Sequence, residues 1–373
     1  MVRDQKPIKG NNIIDNRKSA LNLKVVLNVP RKQPVAIDLF SGSGGLTLGL
    51  KQAGFRVIGA VDCDSLAAET YGVNHKDTVL WNRDIRDLPV SVIKQRLKLR
   101  KGDLDLLAGC PPCQGFSSMR TLNGSREIND PRNDLIFEFL RFIRELDPKA
   151  VMMENVPGLA KDERMHSFCR ELENLGYSCI CDVFDAKCFG VPQRRFRMVL
   201  LAGKFGLVKF AVPETRRYTV RETISSLPPA GNSGDCLHDF PEKRSARIND
   251  LIKKIPKNGG SRSDLGRENQ LACHRKCNGF KDVYGRMSWD KQAPTLTSGC
   301  TNPSKGRFLH PEENRAITLR EAALLQTFPP NYFFSLRRGK NPAAELIGNA
   351  LPPEFIKRHA IRVREYLQTE TFS

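Results

Sequence analysis

Four short segments join reactive or hydrogen-bonding side chains to glycine or proline at fixed spacing. The first is Asp38-Leu-Phe-Ser-Gly-Ser-Gly-Gly-Leu. It follows an apolar run, and Gly42, Gly44 and Gly45 would make a tight turn that exposes amide donors to a ligand. Asp62, at the end of the next apolar run, lies where an acidic side chain accepts hydrogen bonds from ribose hydroxyls. A plain structural turn accounts for these glycines as well. Their order departs from the Gly-x-Gly-x-x-Gly of dinucleotide sites, which favours a nucleoside cofactor without pyrophosphate.

The second segment, Ala108-Gly-Cys-Pro-Pro-Cys-Gln-Gly-Phe-Ser, puts Cys113 in a rigid loop after a strand, a setting that presents a thiolate to an electrophilic carbon. Cys110 and Cys113 also have C-x-x-C spacing. A zinc reading lacks a matching second pair, since Cys273, His274 and Cys277 have a different spacing, and a redox motif would place its first cysteine at a helix start. In the third segment Glu154 ends an apolar strand before Asn155 and Pro157. Partial burial there would raise its pKa and let it protonate or hydrogen-bond a ring nitrogen near neutral pH. In the fourth, Gln193, Arg195 and Arg197 share one face of an extended stretch, where the arginines could hold a carbonyl oxygen or a phosphate. A surface charge run is the alternative there.

The elements that must position these residues alternate. Val35 to Phe40, Arg56 to Val61, Leu104 to Ala108 and Ala150 to Met153 read as buried strands. Leu46 to Ala53 and Ser65 to Tyr71 read as helices, and the alternation predicts an α/β fold with a doubly wound, mostly parallel sheet. The pattern breaks between residues 204 and 305, where 19 Lys and Arg face 10 Asp and Glu. Helical spacing returns at Thr318 to Gln326 and Glu354 to Leu367.

With 373 residues, 40% hydrophobic and 27% charged, the chain is too long for a mini-protein and too apolar for disorder. The formal charge of +19 points to a polyanionic partner, nucleic acid first. Eleven cysteines are too few for a disulfide scaffold and too odd in number to pair completely, which indicates a reducing compartment. No apolar run approaches the ~20 residues of a membrane span, so an intracellular protein without membrane partners is expected.

In this order the segments resemble the C5-cytosine DNA methyltransferases of bacterial restriction-modification systems. Six blocks carry the resemblance: Asp38-Leu-Phe-Ser-Gly-Ser-Gly-Gly, Pro111-Pro-Cys-Gln-Gly-Phe-Ser, Glu154-Asn-Val, Gln193-Arg-Arg-Phe-Arg, Arg315 to Pro329, and Gly348-Asn-Ala-Leu-Pro-Pro. The resemblance implies a Rossmann-like, S-adenosylmethionine-dependent methyltransferase sheet with a smaller, irregular target-recognition domain. It divides the chain into a basic extension (1–33), a catalytic and cofactor-binding part (34–203), target recognition (204–305) and a C-terminal part completing the catalytic domain (306–373). Leu351 stands where valine is usual after Asn-Ala, a conservative change.

For S-adenosylmethionine the resemblance implies Phe40, Ser41, Gly42, Gly44, Gly45, Leu46, Asp62, Cys63, Asp84, Ile85, Leu135, Asn349 and Ala350. Asp62 would take the ribose hydroxyls, Asp84 and Ile85 the adenine edge, and Asn349 would return beside the glycine turn. Cys113 would add to C6 of a flipped-out cytosine, making C5 nucleophilic, while Glu154 supports protonation at N3. Arg195 would hold O2 and Arg197 would lie close to the thiol loop. Gln114, Ser117, Asn155, Gln193, Thr295 and Thr297 would line the substrate side. Double-stranded DNA is the expected partner, with a separately encoded restriction endonuclease as companion and a monomer in the bacterial cytoplasm. A tRNA cytosine-5 methyltransferase is the alternative enzyme, and a DNA-binding regulator without turnover is the alternative from another class. The large insert and all occupied catalytic positions argue against both.

Overall fold

The computed structural model describes residues 33–112, 134–271 and 282–369. The N-terminal extension therefore lies outside the described residues, apart from Gln33. The expected doubly wound sheet is present, with seven strands in the order β3-β2-β1-β4-β5-β7-β6. They are β1 (Val35–Leu39), β2 (Arg56–Asp62), β3 (Val79–Asn82), β4 (Leu106–Gly109), β5 (Ala150–Asn155), β6 (Ser178–Asp185) and β7 (Phe196–Gly203). The first five run parallel, and β7 lies antiparallel to both β5 and β6. β1, β4 and β5 are buried at every position, as strands covered on both faces by helices must be.

One face of the sheet packs against α3 (Val90–Leu97), α4 (Leu135–Leu146) and α5 (Glu163–Asn174). In α4 the apolar residues Leu135, Ile136, Phe139, Leu140, Phe142, Ile143 and Leu146 recur at helical spacing and form the buried stripe. The other face is covered by α1 (Gly45–Gln52) and by α10 (Pro353–Thr369), so an N-terminal and a C-terminal helix share one apolar cluster. Gly49 of α1 makes that approach possible, because a Cβ there would lie 2.6 Å from Ile356 Cβ. α2 (Ser65–Asn74) is started by Asp64, whose side chain accepts from the Leu66 and Ala67 amides.

Between 204 and 318 the described residues hold short helices, α6 (Val220–Ile224) and α7 (Ala246–Lys254), followed by isolated bridges of Leu309 to Arg286 and to Ala316. Their apolar cluster continues past Lys305: Val220, Ile224, Trp289 and Leu296 pack with Phe308, Ile317, Leu325, Phe334 and Ile347. The last of these come from or flank α8 (Leu319–Leu325) and α9 (Lys340–Asn349). Fully buried Arg286 braces this part, with its guanidinium donating to the carbonyls of Ile252, Ile255 and His310. No helix among the described residues is long and apolar enough to cross a membrane.

Candidate active site

Parallel strands deliver their carboxyl ends to one edge, and the described parts of the four sequence segments meet there. The turn after β1 starts from Phe40 with a φ of 61°, a left-handed backbone that a bulky residue adopts only under constraint. Ser41 N donates to Val61 O, Gly44 N to Ser41 O, and Gly42 N to Asp62 Oδ2 over 2.7 Å. The turn and the end of β2 are thus one hydrogen-bonded unit. The glycines have separate reasons. A Cβ on Gly42 would meet nothing within 4 Å, whereas one on Gly44 would lie 2.4 Å from His75 Nε2 and one on Gly45 2.4 Å from Leu351 O. Gly42 alone of the three leaves its side open for a ligand; Gly44 and Gly45 make room for the protein itself.

Glu154 is next to last in β5, with 1% exposure. Arg197 Nε stands 2.8 Å from its Oε1, and Cys110 Sγ donates to Oε2 over 3.0 Å. The Arg197 contact is an ion pair without hydrogen-bond alignment, so Oε1 keeps an unfilled acceptor. Burial pushes the Glu154 carboxyl up, opposed by Arg197 first and then by the Cys110 bond and Arg195. Burial and the adjacent carboxylate push the Cys110 thiol up as well, keeping it a neutral donor. Asn155 Nδ2 donates to Pro111 O over 2.8 Å, tying the end of β5 to the proline loop.

The alternation read from Gln193 to Arg197 holds: Gln193 and Arg195 are buried, Arg194 and Phe196 exposed, and Arg197 partly covered. The two arginines differ in what they touch. Arg195 donates to Leu296 O, Gly348 O and Ala350 O at 2.8, 3.1 and 3.2 Å, while Arg197 faces Glu154. Gln193 accepts from Leu296 N and donates to Gln326 Oε1. Thr295 is exposed and donates to Arg194 O, and Thr297 is partly buried with its carbonyl against Gly348.

The remaining expected cofactor residues fall around the same edge. Asp62 is half-buried and Cys63 exposed. Asp84 caps the short turn Ile85–Asp87 and pairs with Arg86, which holds its carboxyl below the usual range. Ile85 and Leu135 are buried in the core cluster of that sheet face, and Leu46 is buried in the cluster on the other. Asn349 ends α9 with its side chain exposed, followed by Ala350. Cys113, Gln114 and Ser117 lie outside the described residues.

Three supports were not read from the sequence. Cys110 entered only as half of a C-x-x-C pair, yet it donates to Glu154. Beneath the glycine turn, fully buried Asp38 accepts from Thr47 Oγ1, which is 2.8 Å from Tyr71 OH, while Asp38 Oδ1 has no partner. Burial pushes the Asp38 carboxyl up to about 7. Tyr332 OH donates to Ser43 O, and His75 Nε2 lies 2.9 Å from that hydroxyl and 3.2 Å from Gly44 O. Burial lowers His75 to about 4, so a neutral ring with Nε2 protonated serves both oxygens. The spacing of 257 residues between His75 and Tyr332 gives no local signal.

The sequence profile of a family described as C-5 cytosine-specific DNA methylase matches residues 35–364. A Type II methylase of Herpetosiphon aurantiacus, M.HgiDII, is 36% identical over 89% of this chain and 95% of its own. A Type II methyltransferase of Haemophilus parahaemolyticus is 34% identical over 85% of this chain and 83% of its own. Among solved structures, a prophage-encoded Escherichia coli protein aligns with a TM-score of 0.65 at 26% identity, covering 90% of this chain and 99% of that one. DNMT2 of Spodoptera frugiperda, 19% identical with a TM-score of 0.58 over 89% of this chain and 99% of its own, shares the fold. With its sheet order, its buried glutamate at the ligand edge and a profile match over most of its length, the chain belongs to the C-5 cytosine-specific DNA methylases and is a DNA (cytosine-5-)-methyltransferase.

Proposed function

We propose that the protein methylates C5 of one cytosine within a short recognition sequence of duplex DNA, as the modification enzyme of a restriction-modification system. The observation that carries this reading is the Arg197–Glu154–Cys110 cluster, with Arg197 2.8 Å and Cys110 3.0 Å from a buried carboxylate, beside the loop leading to Cys113. Support for the biological setting comes from relatives named as Type II methylases.

C5 of cytosine is too weak a nucleophile to take a methyl group directly. Addition of the Cys113 thiolate to C6 forms a C–S bond and moves the ring electrons toward C5. Glu154, whose carboxyl burial pushes up, supports N3 during that addition. After C5 has been methylated, loss of its proton returns the electrons to the ring and expels Cys113. Arg197, oriented by Glu154, is the better candidate to hold O2, because Arg195 is committed to three carbonyls. Unstacking the base costs a few kcal/mol, offset by contacts in this pocket.

The residues fit S-adenosylmethionine: Gly42 is open, and the half-buried Asp62 carboxylate is held at the end of β2 by the Gly42 and Asp64 amides. Phe40, Ser41, Gly42, Asp62, Asp84 and Asn349 would hold it. Bound there, it would supply an electrophilic methyl group. We assign residues 204–305, with their excess of Lys and Arg, to phosphate anchoring and base reading.

Bisulfite sequencing of plasmid DNA from cells expressing the wild-type chain and Cys113→Ala tests the reading. Protected cytosines in one short motif, present for wild type alone, are expected. No protection with either chain would overturn it and direct the search to RNA or to DNA binding without turnover.

A further inference from the structure

Two parts of the proposed site are far apart in sequence and must be held in fixed relation: the Gly348-Asn349-Ala350 turn on the cofactor side, and the Gln193–Arg197 stretch that brings Arg197 to Glu154. One buried side chain given no role above touches both. Gln326 is fully buried at the end of α8. Its Oε1 accepts from Gln193 Nε2 over 2.8 Å, and its Nε2 donates to Ile347 O over 2.8 Å, with Ala350 O at 3.3 Å and Gly348 O at 3.5 Å. Three carbonyls around one nitrogen and a donor at the oxygen fix the orientation of the amide.

The network extends in both directions. Gln193 Oε1 accepts from Leu296 N while Arg195 donates to Leu296 O, so that the backbone of this one residue is held on both sides. Arg195 also reaches Gly348 O and Ala350 O. The approach is close enough that a Cβ on Gly348 would lie 2.0 Å from Thr297 O. Gln326 itself is held by an unusual backbone. Thr327, β-branched, has a φ of 67°, and its Oγ1 accepts from Glu354 N at the start of α10.

We propose that Gln326 is a positioning residue that couples the Gly348–Ala350 cofactor turn to the strand presenting Arg197 and to the Thr295–Thr297 segment of the recognition region. The proposal rests on the function proposed above. Replacing the amide removes the nearest partner of the Ile347 carbonyl and of the Gln193 side-chain amide, leaving them Ala350 N at 3.3 Å and Leu325 O at 3.5 Å, and the two halves of the site lose their common register.

The test is initial-rate transfer of tritiated methyl from S-adenosylmethionine to unmethylated plasmid DNA, with thermal melting recorded in parallel, for the wild-type chain, Gln326→Met and Leu319→Ala. Methionine keeps the length of the side chain and removes both hydrogen-bonding functions. Gln326→Met is expected to raise KM for S-adenosylmethionine and lower kcat, together by roughly tenfold to a hundredfold in kcat/KM, as misplacement of a reacting group does. Leu319→Ala removes buried apolar volume from the same helix, off the network, and should lower the melting temperature with KM and kcat unchanged below it. Wild-type KM and kcat in Gln326→Met would overturn the coupling, as would the same kinetic losses in Leu319→Ala at equal destabilisation. A wild-type chain that methylates no DNA would instead overturn the underlying function, and the coupling with it.

Discussion

Asn155 Nδ2 donates to the carbonyl of Pro111 over 2.8 Å, so the residue that follows Glu154 also holds the loop leading to Cys113. Its Oδ1 accepts from Val156 N, which leaves the side chain no rotational freedom. Replacement by alanine would strand a buried carbonyl at a cost of about 1–3 kcal/mol and release the loop. Asn155→Ala is expected to melt a few degrees lower and to lose about a hundredfold in methyl transfer, a loss larger than its instability explains. Rates and melting curves on the same preparation check this; wild-type rates would refute it.

The two arginines of the Gln193–Arg197 stretch should separate. Arg197→Met removes the largest influence that holds the Glu154 pKa down, so the carboxyl titrates at higher pH. Whichever limb of the pH–rate profile Glu154 governs should move upward, with little change in melting temperature. Arg195→Met strands the Leu296 carbonyl and takes the nearer donor from those of Gly348 and Ala350, so it is expected to destabilise the fold by about 1–3 kcal/mol, with a smaller movement of the profile because Arg195 acts on Glu154 less than Arg197 does. Matching profiles for the two variants would contradict the distinction.

Gly42 and Gly44 should divide binding from stability. A side chain at Gly44, where φ is 93°, would collide with His75 and Tyr332, so Gly44→Ala is expected to destabilise by several kcal/mol. At Gly42, with φ 52°, the new methyl enters open space, costing about 1 kcal/mol in backbone strain but projecting into the proposed cofactor cradle. Calorimetric titration with S-adenosylhomocysteine should show at least tenfold weaker binding to Gly42→Ala in a nearly normally stable protein. Unchanged binding would remove Gly42 from the cofactor site.

Asp38 makes stability depend on pH with an unusual sign. Burial raises its carboxyl from 3.8 to about 7, so between those values the folded protein holds a proton that the unfolded chain has released. Its contribution to stability is therefore largest at low pH and declines as pH rises from about 4 to 7, by up to about 1.4 kcal/mol per unit. Asp38→Asn keeps an acceptor for Thr47 and does not titrate. Denaturant unfolding across this range should show the variant gaining on wild type as pH rises; a constant difference between them would disprove the assignment.

Much of this molecule is legible in one dimension because its chemistry sits where short motifs follow short strands. The apolar runs before Asp38, Asp62, Cys110 and Glu154 are nearly continuous, as buried parallel strands require, and they set both the fold and the edge at which the candidate site residues gather. The period of two in Gln193-Arg-Arg-Phe-Arg gave the buried and exposed faces correctly. Strand β6 was not visible: its edge position leaves Ser178 and Asp182 exposed, and three of its residues are cysteine or aspartate on partly covered faces, which blurs the alternation.

The sequence by itself determined the strand order's ingredients, the motifs and the family, because each depends on residues within about ten positions of one another. Which arginine faces Glu154, why Gly44 and Gly45 are glycine, and that Cys110 and Gln326 belong to the site were decided by tertiary structure alone. Each turns on a contact between distant segments, His75 with Tyr332 or Gln326 with Gln193, made only when the helices close over the sheet. Hydrogen-bond geometry is satisfied or lost over tenths of an ångström, and residue spacing along a chain carries no information at that scale.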